Sequence, residues 1–246
     1  MIYSPARPCQ GDLHPLTMSY IATLKQKTYL TPDILELHFE KPADFIYQAG
    51  QFVQWTVPDG TSGRILRPFS LSSAPADDEL EFLLKVLPDG RASTYAANLR
   101  IGDNLRLEEP KGKFIIETAK PHLYFIATGA GLAPIMAMMR DELQNKKTDA
   151  EVRLLFGVRS EDDIFWADRL ESLRSRYTNF SYTITLSQPK PNNGWSGLRG
   201  RVTDHVLHHL VNHQFFLCGN AAMVKDMRQL LIGNGIEAAQ IHFEIF

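Results

Sequence analysis

The pattern of apolar and polar positions divides the chain into two regions. From Ser19 to about Glu117, branched and aromatic residues form short runs separated by turn signals such as Pro58-Asp59-Gly60 and Pro88-Asp89-Gly90. Short strands joined by such turns are typical of an antiparallel sandwich or barrel. The predicted strands are YIATLKQKTYL, ILELHFEKP, GQFVQWTVP, LEFLLKVL, NLRLEEP and KFIIET. A short helix is predicted after Ser93, which is a good N-cap residue, and continues to Leu99.

After Pro121 the pattern changes to strands that alternate with helices. LYFIAT, EVRLLFGV, FSYTITLS, HQFFLCG and IHFEIF have the composition of buried strands. GAGLAPIMAMMRDELQNKK, DDIFWADRLESLRSRY, TDHVLHHLVNH and AAMVKDMRQLLIGNG predict helices between them. This alternation indicates a parallel sheet covered on both faces. The fold expected is therefore two-domain: a flexible N-terminal tail (1–18), an antiparallel β-barrel (19–119) and an α/β parallel-sheet domain (120–246).

Composition narrows the class of protein. The 246 residues carry a formal net charge of −2, which favours neither nucleic acid nor a membrane surface as a partner. No apolar run is long enough to span a bilayer, and the N-terminus lacks the apolar core of a signal peptide. The two cysteines, Cys9 and Cys218, are too few for a zinc or iron–sulfur module and suit a reducing compartment. We expect a cytoplasmic protein.

One glycine-rich turn joins a predicted strand to a predicted helix. It comprises Thr128-Gly129-Ala130-Gly131, followed by Leu132-Ala133-Pro134. Glycine lets the backbone approach a phosphate closely, and a helix N-terminus offers unpaired N–H groups. A tight turn without a ligand is the alternative, because the spacing differs from G-x-G-x-x-G.

Three further segments contain candidate chemistry. Arg67-Pro68-Phe69-Ser70 combines a charge, a ring and a hydroxyl that could hold an anionic, flat cofactor, or it forms an edge strand with exposed arginines. Gly90-Arg91-Ala92-Ser93-Thr94 is either a second phosphate site at a helix start or an ordinary capped helix. Cys218-Gly219-Asn220 follows a strand of the α/β region, where functional groups gather, although a cysteine there is more often a small apolar residue.

The histidines do not predict a metal site. His205, His208, His209 and His213 have helical spacing, but neither a cysteine nor a carboxylate joins them at the usual ligand spacing. A solvated helix face is the better interpretation, and we expect no metal.

Taken in order along the chain, these segments resemble the ferredoxin–NADP reductase superfamily. The resemblance rests on Arg67 to Ser70, Gly90 to Thr94, Gly129 to Pro134, Cys218 to Asn220 and the terminal Phe243-Glu244-Ile245-Phe246. It extends from about Ser19 to the last residue. It implies that the barrel binds a flavin, by default FAD with FMN as the alternative, and that the α/β domain binds NADH or NADPH.

The resemblance also implies roles for single residues. Arg67 would contact the flavin pyrophosphate, Phe69 would pack on the isoalloxazine, and Ser70 would donate a hydrogen bond near N5. Cys218 would lie beside the nicotinamide C4, and Glu244 would position the nicotinamide or relay a proton. The catalytic residues expected are thus Ser70, Cys218 and Glu244. The remaining cofactor residues expected are Pro68, Gly90, Arg91, Ala92, Ser93, Thr94 and Phe246 for the flavin, and Thr128, Gly129, Ala130, Gly131, Gly219 and Asn220 for NAD(P).

The nicotinamide preference stays open at this stage. By the same resemblance, the segment after the second α/β strand contacts the adenosine ribose. Arg159 and Ser160 could hold a 2′-phosphate there, whereas Glu161 or Asp162 would repel it and favour NADH.

The function expected is transfer of a hydride from NAD(P)H to FAD and of electrons to a separate carrier, such as a ferredoxin, a flavodoxin or an oxygenase component. Basic residues near the flavin could form its docking face: Arg64, Lys85, Arg91, Lys111 and Lys113. The main alternative is an NAD(P)H:flavin reductase that uses flavin as a substrate. A regulatory subunit without turnover and a non-flavin dehydrogenase are weaker alternatives.

Overall fold

The computed structural model describes residues 18–118, 122–191, 194–205 and 212–245. Two six-stranded sheets organise these residues, one from each region of the sequence. The predicted tail (1–18) lies outside the described residues except for Met18. Within the described part of the chain, no helix has the length and apolar character that crossing a membrane requires.

The first sheet is antiparallel, with the strand order β4-β3-β6-β1-β2-β5. Its strands are β1 (Ser19–Tyr29), β2 (Ile34–Glu40), β3 (Phe52–Pro58), β4 (Arg64–Ser70), β5 (Glu79–Lys85) and β6 (Asn104–Glu108). A bridge between Leu71 and Phe82 joins its two edge strands, and the backbone N–H of Ser72 donates to Glu81 at 2.8 Å. The sheet therefore curls back on itself, which confirms the predicted barrel.

Every second side chain along the strands points into the barrel and forms its core. In β3, Val53, Trp55 and Val57 are fully buried, while the residues between them face outwards. Trp55 contacts Phe39 and Phe82 edge-on, at ring-centroid distances of 5.8 and 5.0 Å. Aromatic residues of three strands thus form the centre of this core.

Helix α1 (Arg91–Asn98) begins earlier than predicted, with Gly90 rather than Ser93 at its N-cap. Ser93 lies inside the helix because its hydroxyl serves the preceding loop. That hydroxyl accepts a hydrogen bond from the Leu87 N–H at 3.0 Å and donates to the Gly90 carbonyl at 3.0 Å. The prediction of Ser93 as the cap was wrong.

The segment KFIIET was also wrongly predicted as a strand, because residues 113–118 form no regular element. Its apolar pattern has a different cause. Phe114 is 4% exposed and packs against the α/β core, where its ring lies 5.9 Å from that of Phe216.

The second sheet is parallel, with the order β10-β9-β8-β7-β11-β12, as the alternating pattern predicted. Its strands are β7 (His122–Thr128), β8 (Glu151–Val158), β9 (Phe180–Leu186), β10 (Leu198–Arg199), β11 (His213–Gly219) and β12 (Ile241–Ile245). Helices α2 (Leu132–Arg140), α3 (Ala167–Arg176) and α4 (Ala221–Gly233) join them. Two separate apolar clusters, one on each face, confirm that both faces are covered.

Two predicted helices differ from those observed. The helix predicted over 162–177 begins only at Ala167, because Trp166 has a left-handed backbone (φ 55°) and is buried with Phe165 in the core. The helix predicted over 203–213 is a single 3-10 turn (Val202–His205) within the described residues, and His213 instead opens strand β11. Helix α2 continues as a π-helical turn over Asp141–Asn145.

Candidate functional site

The site is built where strands of the second sheet end beside the barrel. Cys218 at the end of β11 is paired in register with Ala127 of β7 and with Glu244 of β12. Parallel strands place their carboxyl ends at one edge of the sheet, which is where ligands of open α/β sheets bind. The topology thus brings Cys218 and Glu244 together, although they are far apart in sequence.

The glycine turn lies against the end of β11. A Cβ atom on Gly131 would lie 2.3 Å from the Cys218 carbonyl oxygen, and one on Gly219 would lie 2.2 Å from Oγ1 of Thr128. Gly219 also has φ +143°, which an L side chain rarely adopts. Both glycines are therefore required by the close approach of two backbones. The turn itself (Gly129–Gly131) is a 3-10 segment without a side-chain cap, so it leaves backbone N–H groups for a ligand.

A hydrogen bond joins the barrel to this strand edge. The Ser70 hydroxyl, at the end of β4, donates to Oε2 of Glu244 at 3.1 Å. Ser70 is buried, and Glu244 is half-buried. Ser70 and Glu244 are joined by this hydrogen bond, and Cys218 and Glu244 are neighbours in strand register. The three residues expected to be catalytic therefore lie together.

Burial controls the ionisation of the two acidic groups. It raises the pKa of the Cys218 thiol well above its usual value, and the charge of Glu244 raises it further. Burial also raises the pKa of Glu244, although the hydrogen bond from Ser70 acts in the opposite direction. Cys218 is thus a neutral thiol at ordinary pH, which argues against a nucleophilic thiolate.

Strand β4 presents an open surface beside Ser70. Leu66, Arg67 and Pro68 are exposed, and the Arg67 guanidinium donates to the neighbouring Leu66 carbonyl at 2.9 Å. The ring of Phe69 packs against that of Trp55 inside the barrel, with 4.3 Å between the ring centroids. A flat cofactor lying along β4 would cover this surface.

Helix α1 adds a second feature that fits an anionic cofactor. No side chain caps its N-terminus at Gly90, and Arg91 is exposed beside it. The first-turn N–H groups and the positive end of the helix dipole are favourable for a phosphate. The open β4 surface and this uncapped helix end together fit the ring system and the pyrophosphate of FAD.

The residues expected to contact the adenosine ribose follow β8. Ser160 is engaged locally, because its hydroxyl donates to Oδ2 of Asp163 at 2.7 Å in a capping box. Asp162 forms an ion pair with Lys190. Arg159 is exposed, so its guanidinium is the group best placed to reach a ligand.

Other candidates have different surroundings from those expected. The side chain of Asn220 accepts from the Ala222 N–H at 2.8 Å and so caps helix α4. His213 stacks on His122, which in turn contacts Glu151 at 3.0 Å. Phe246, His208 and His209 lie outside the described residues.

Sequence reasoning missed a buried charged cluster between the domains. Its members are Glu36, His38, Glu81, Trp166 and Arg169. The glutamates alternate with apolar residues in ILELHFE and ELEFLLK, which normally predicts a solvated face. Nothing in the local sequence around Glu36, Glu81 or Trp166 indicates that these residues meet.

Comparisons with known proteins agree with both halves of the fold. Residues 21–116 match the family model of the oxidoreductase FAD-binding domain, and residues 125–229 match that of the oxidoreductase NAD-binding domain. Ferredoxin–NADP reductase B of Sorangium cellulosum is 36% identical over 231 residues, which cover 87% of this chain and 92% of the relative.

Two further similarities extend this result. The ferredoxin–NAD(P)+ reductase component of the naphthalene 1,2-dioxygenase/salicylate 5-hydroxylase systems of a Ralstonia species is 31% identical over 223 residues, covering 88% of this chain and 65% of the relative. A crystal structure of a ferredoxin NADP+ reductase from Neisseria gonorrhoeae with bound FAD and NADP has a TM-score of 0.81 at 24% identity, covering 92% of this chain and 98% of that chain. The latter similarity shows the fold.

A flavin-binding barrel and a nicotinamide-binding parallel sheet define the class: a two-domain oxidoreductase that uses FAD and NAD(P). The chain belongs to the ferredoxin–NADP reductase superfamily, as the order of its motifs predicted.

Proposed function

We propose that the protein transfers a hydride from NAD(P)H to bound FAD and passes the electrons to a separate protein. The observation that carries this proposal is the contact of Ser70 with Glu244 at 3.1 Å beside Cys218, where the two cofactor-binding domains meet. Bound FAD supplies the conversion between a two-electron donor and one-electron acceptors.

The chain's own residues would bind and orient the reactants. The Gly129–Gly131 turn would hold the pyrophosphate of the nicotinamide dinucleotide, and the neutral Cys218 thiol would lie beside its ring. The Ser70 hydroxyl, whose one proton is donated to Glu244 in this structure, would donate to the flavin instead when FAD is bound. Alignment of the two rings in a site that excludes water is the main catalytic contribution.

On the flavin side, we propose that Arg67, Phe69 and the α1 N-terminus, including Arg91, hold FAD as a resident cofactor. The uncapped helix start supports this assignment, because a flavin used as a passing substrate needs no second phosphate site. The relatives named above are electron-transfer reductases, which also does not favour a flavin reductase.

For the acceptor, we propose an acidic one-electron carrier such as a ferredoxin or an oxygenase component. The Sorangium relative is a ferredoxin–NADP reductase, and the Ralstonia relative serves dioxygenase and hydroxylase systems. Arg64 and Lys113 are exposed near β4 and would attract an acidic surface, whereas Lys85 is already paired with Asp33 at 2.8 Å. A free buried Cys218 and reduced nicotinamide as donor suit the cytoplasm.

The nicotinamide preference depends on Arg159 in this proposal. Its exposed guanidinium is available for a 2′-phosphate, while the acidic groups at 161–163 are engaged by Lys190 and Ser160. We propose that NADPH and NADH both bind and that Arg159→Ala lowers only the affinity for NADPH.

The test is an absorption spectrum of the purified protein, followed by anaerobic mixing with NADH or NADPH. We expect flavin bands that bleach with either nucleotide. Salt-dependent reduction of an acidic ferredoxin should follow, weakened in Arg64→Glu relative to Arg174→Glu on the surface of α3. A colourless protein that still reduces added flavin would contradict the proposal of a resident cofactor.

A further inference from the structure

Two arginines of the α/β domain reach the charged cluster: Arg140 of α2 pairs with Asp77 at 2.9 Å and lies 4.0 Å from Glu81, and Arg169 makes the closer contacts. Arg169 of α3 donates from Nη2 to Oε1 of Glu36 on β2 and from Nη1 to Oε1 of Glu81 on β5, both at 2.8 Å. Glu36 and Glu81 are only 2% and 5% exposed. A planar guanidinium with a fixed fork thus joins one helix of the α/β domain to two neighbouring strands of the barrel.

A second donor from the same domain fixes Glu36. The indole N–H of Trp166 donates to its Oε2 at 2.6 Å, and the Arg169 guanidinium lies 4.9 Å from the centre of the Trp166 ring. Trp166 has φ 55°, which is an outlier for a bulky residue and persists only where the surroundings hold it. The left-handed backbone therefore serves to direct the Trp166 side chain towards the barrel.

The carboxylates are fully engaged by protein groups. His38 contacts Oε1 of Glu36 at 2.6 Å, and the Ser72 hydroxyl donates to Oε1 of Glu81 at 3.1 Å. Glu36, His38 and Glu81 are close enough to hold a metal ion, but Arg169 and Trp166 already donate to the glutamate oxygens. A salt-bridged, hydrogen-bonded cluster explains this spacing without an ion.

The cluster is connected to the reaction site through a short path in the barrel. Ser72 donates from its backbone N–H to the Glu81 carbonyl at 2.8 Å and from its hydroxyl to the Glu81 carboxylate. Ser72 lies two residues after Ser70, and Leu71 between them forms the bridge to Phe82. A movement of Arg169 against Glu81 is therefore transmitted to the segment that carries Ser70.

Apolar packing alone would hold the domains together without fixing their angle. Ile34, Leu83 and Phe114 of the barrel side pack into the α/β core, and such contacts have little directional preference. Buried ion pairs contribute little net stability compared with apolar residues of the same size, but their geometry is directional.

We propose that Arg169 and Trp166 are positioning residues for hydride transfer, which set the angle between the two domains by holding Glu36 and Glu81. This inference depends on the proposed function. The hydride step requires the nicotinamide and flavin rings to be aligned, and the rings belong to different domains. Misplacement by about 1 Å costs on the order of 100-fold in rate.

The experiment compares variants by anaerobic stopped-flow absorbance at saturating nucleotide. Arg169→Met should slow flavin reduction about 10- to 100-fold, and Trp166→Phe, which keeps the ring and loses the N–H, should slow it less. Nucleotide affinity and flavin content should change little. The long-wavelength absorbance of stacked nicotinamide and flavin should weaken in parallel. Arg174→Met is the matched control, because Arg174 on the same helix pairs with Glu171 of its own helix at 2.6 Å.

A third variant separates positioning from stability. Arg169→Met removes the closest positive charge from two buried carboxylates, which keep His38 and the more distant Arg140, and should unfold at a lower temperature. Adding Glu36→Gln and Glu81→Gln removes those charges, so the triple variant should regain thermal stability but not the reduction rate. A triple variant that regains both would overturn the proposal and leave the cluster a purely structural role.

Interdomain orientation is measured independently of turnover by residual dipolar couplings of the two domains. We expect the couplings of the triple variant to require a changed or averaged interdomain angle. An unchanged angle would overturn the inference even if the wild-type protein reduces flavin. A changed angle in a protein that no nucleotide reduces would refute the proposed function and leave the two residues with a role in setting the interdomain angle alone.

Discussion

The two cofactor sites differ in how far the protein alone completes them. In the α/β domain, two strand ends are pressed together so closely that neither Gly131 nor Gly219 has room for a Cβ atom. In the barrel, Leu66, Arg67 and Pro68 of β4 lie exposed, and helix α1 starts without a cap. The proposed nucleotide site is thus preformed, as suits a substrate that enters and leaves, whereas the proposed flavin site is an open surface that FAD would cover.

The largest effect should come from closing the preformed site. Gly131→Ala places a methyl group 2.3 Å from the Cys218 carbonyl oxygen, so the end of β11 must move. We expect kcat/KM for NAD(P)H to fall by about 100-fold or more while FAD stays bound. Steady-state kinetics and the flavin absorbance measure both quantities.

The control for this variant is Gly233→Ala in α4, where a Cβ atom meets nothing within 4 Å. It should stabilise the protein by roughly 0.5 kcal/mol and leave kcat/KM unchanged. Full activity of Gly131→Ala would show that the strand ends are not packed as described.

At the proposed flavin site, removal of the Arg67 charge should weaken the binding of FAD. Arg67→Ala should raise the Kd for FAD by roughly 10- to 100-fold, because a charge-assisted hydrogen bond contributes about 1.5 to 3 kcal/mol. Fluorescence titration of the apoprotein measures this Kd. Arg106→Ala on β6, also exposed, should leave it unchanged, and equal affinities in both variants would reject the assignment of Arg67.

Between the two sites, Ser70→Ala should slow flavin reduction about tenfold with little change in FAD affinity. In the proposed complex the hydroxyl would turn from Glu244 to donate a hydrogen bond worth about 1 kcal/mol to the flavin, and its loss would affect alignment more than binding. Stopped-flow traces at saturating NADH test this. Ser181→Ala, on the exposed side of β9, is the control. Traces of Ser70→Ala that match the wild type would remove Ser70 from the mechanism.

The smallest effect concerns Glu244 and pH. Because burial raises the pKa of Glu244, the folded state disfavours its charged form, and stability is lost as pH rises through that pKa. Glu244→Gln should therefore raise Tm at pH 8 by on the order of a few degrees and have little effect at pH 4. Thermal melts by circular dichroism at both pH values measure this difference. A rise in Tm of equal size at both pH values would show that titration of Glu244 is not the cause.

The sequence predicts most of the fold because periodicity is a local signal. Strands β7, β8 and β11 are bounded by turn residues, so their ends are visible in the sequence. Trp166 is different, because a left-handed tryptophan inside an apolar, helix-like stretch is decided by tertiary packing. Ser93 was misassigned for a related reason, since its hydroxyl bonds to the Leu87 loop rather than to the helix end.

The proposed reaction residues could be inferred only through the order of several weak motifs. Ser70, Cys218 and Glu244 lie in three separate segments, and no local pattern indicates that they meet. Their proximity depends on the register of β11 with β12 and on the contact between domains. The Arg169 cluster was missed because Glu36 and Glu81 occupy strand positions that normally face solvent.

The bridge at Leu71 and Phe82 also determines where the barrel opens first. Strand β4 pairs with β3 along its whole length, whereas within the described residues the end of β4 is joined to β5 by this bridge and by hydrogen bonds of Ser72 and Ser73 with Glu81. Regions with few backbone hydrogen bonds open by local fluctuation before the rest of a domain. The Leu71 and Ser72 N–H groups donate to Gln51 and Glu81 across this joint, and in the apoprotein they should exchange faster than the amides of the continuously paired strands β1 and β2. Bound flavin would slow this exchange, so the cofactor would also stabilise the least connected part of the barrel.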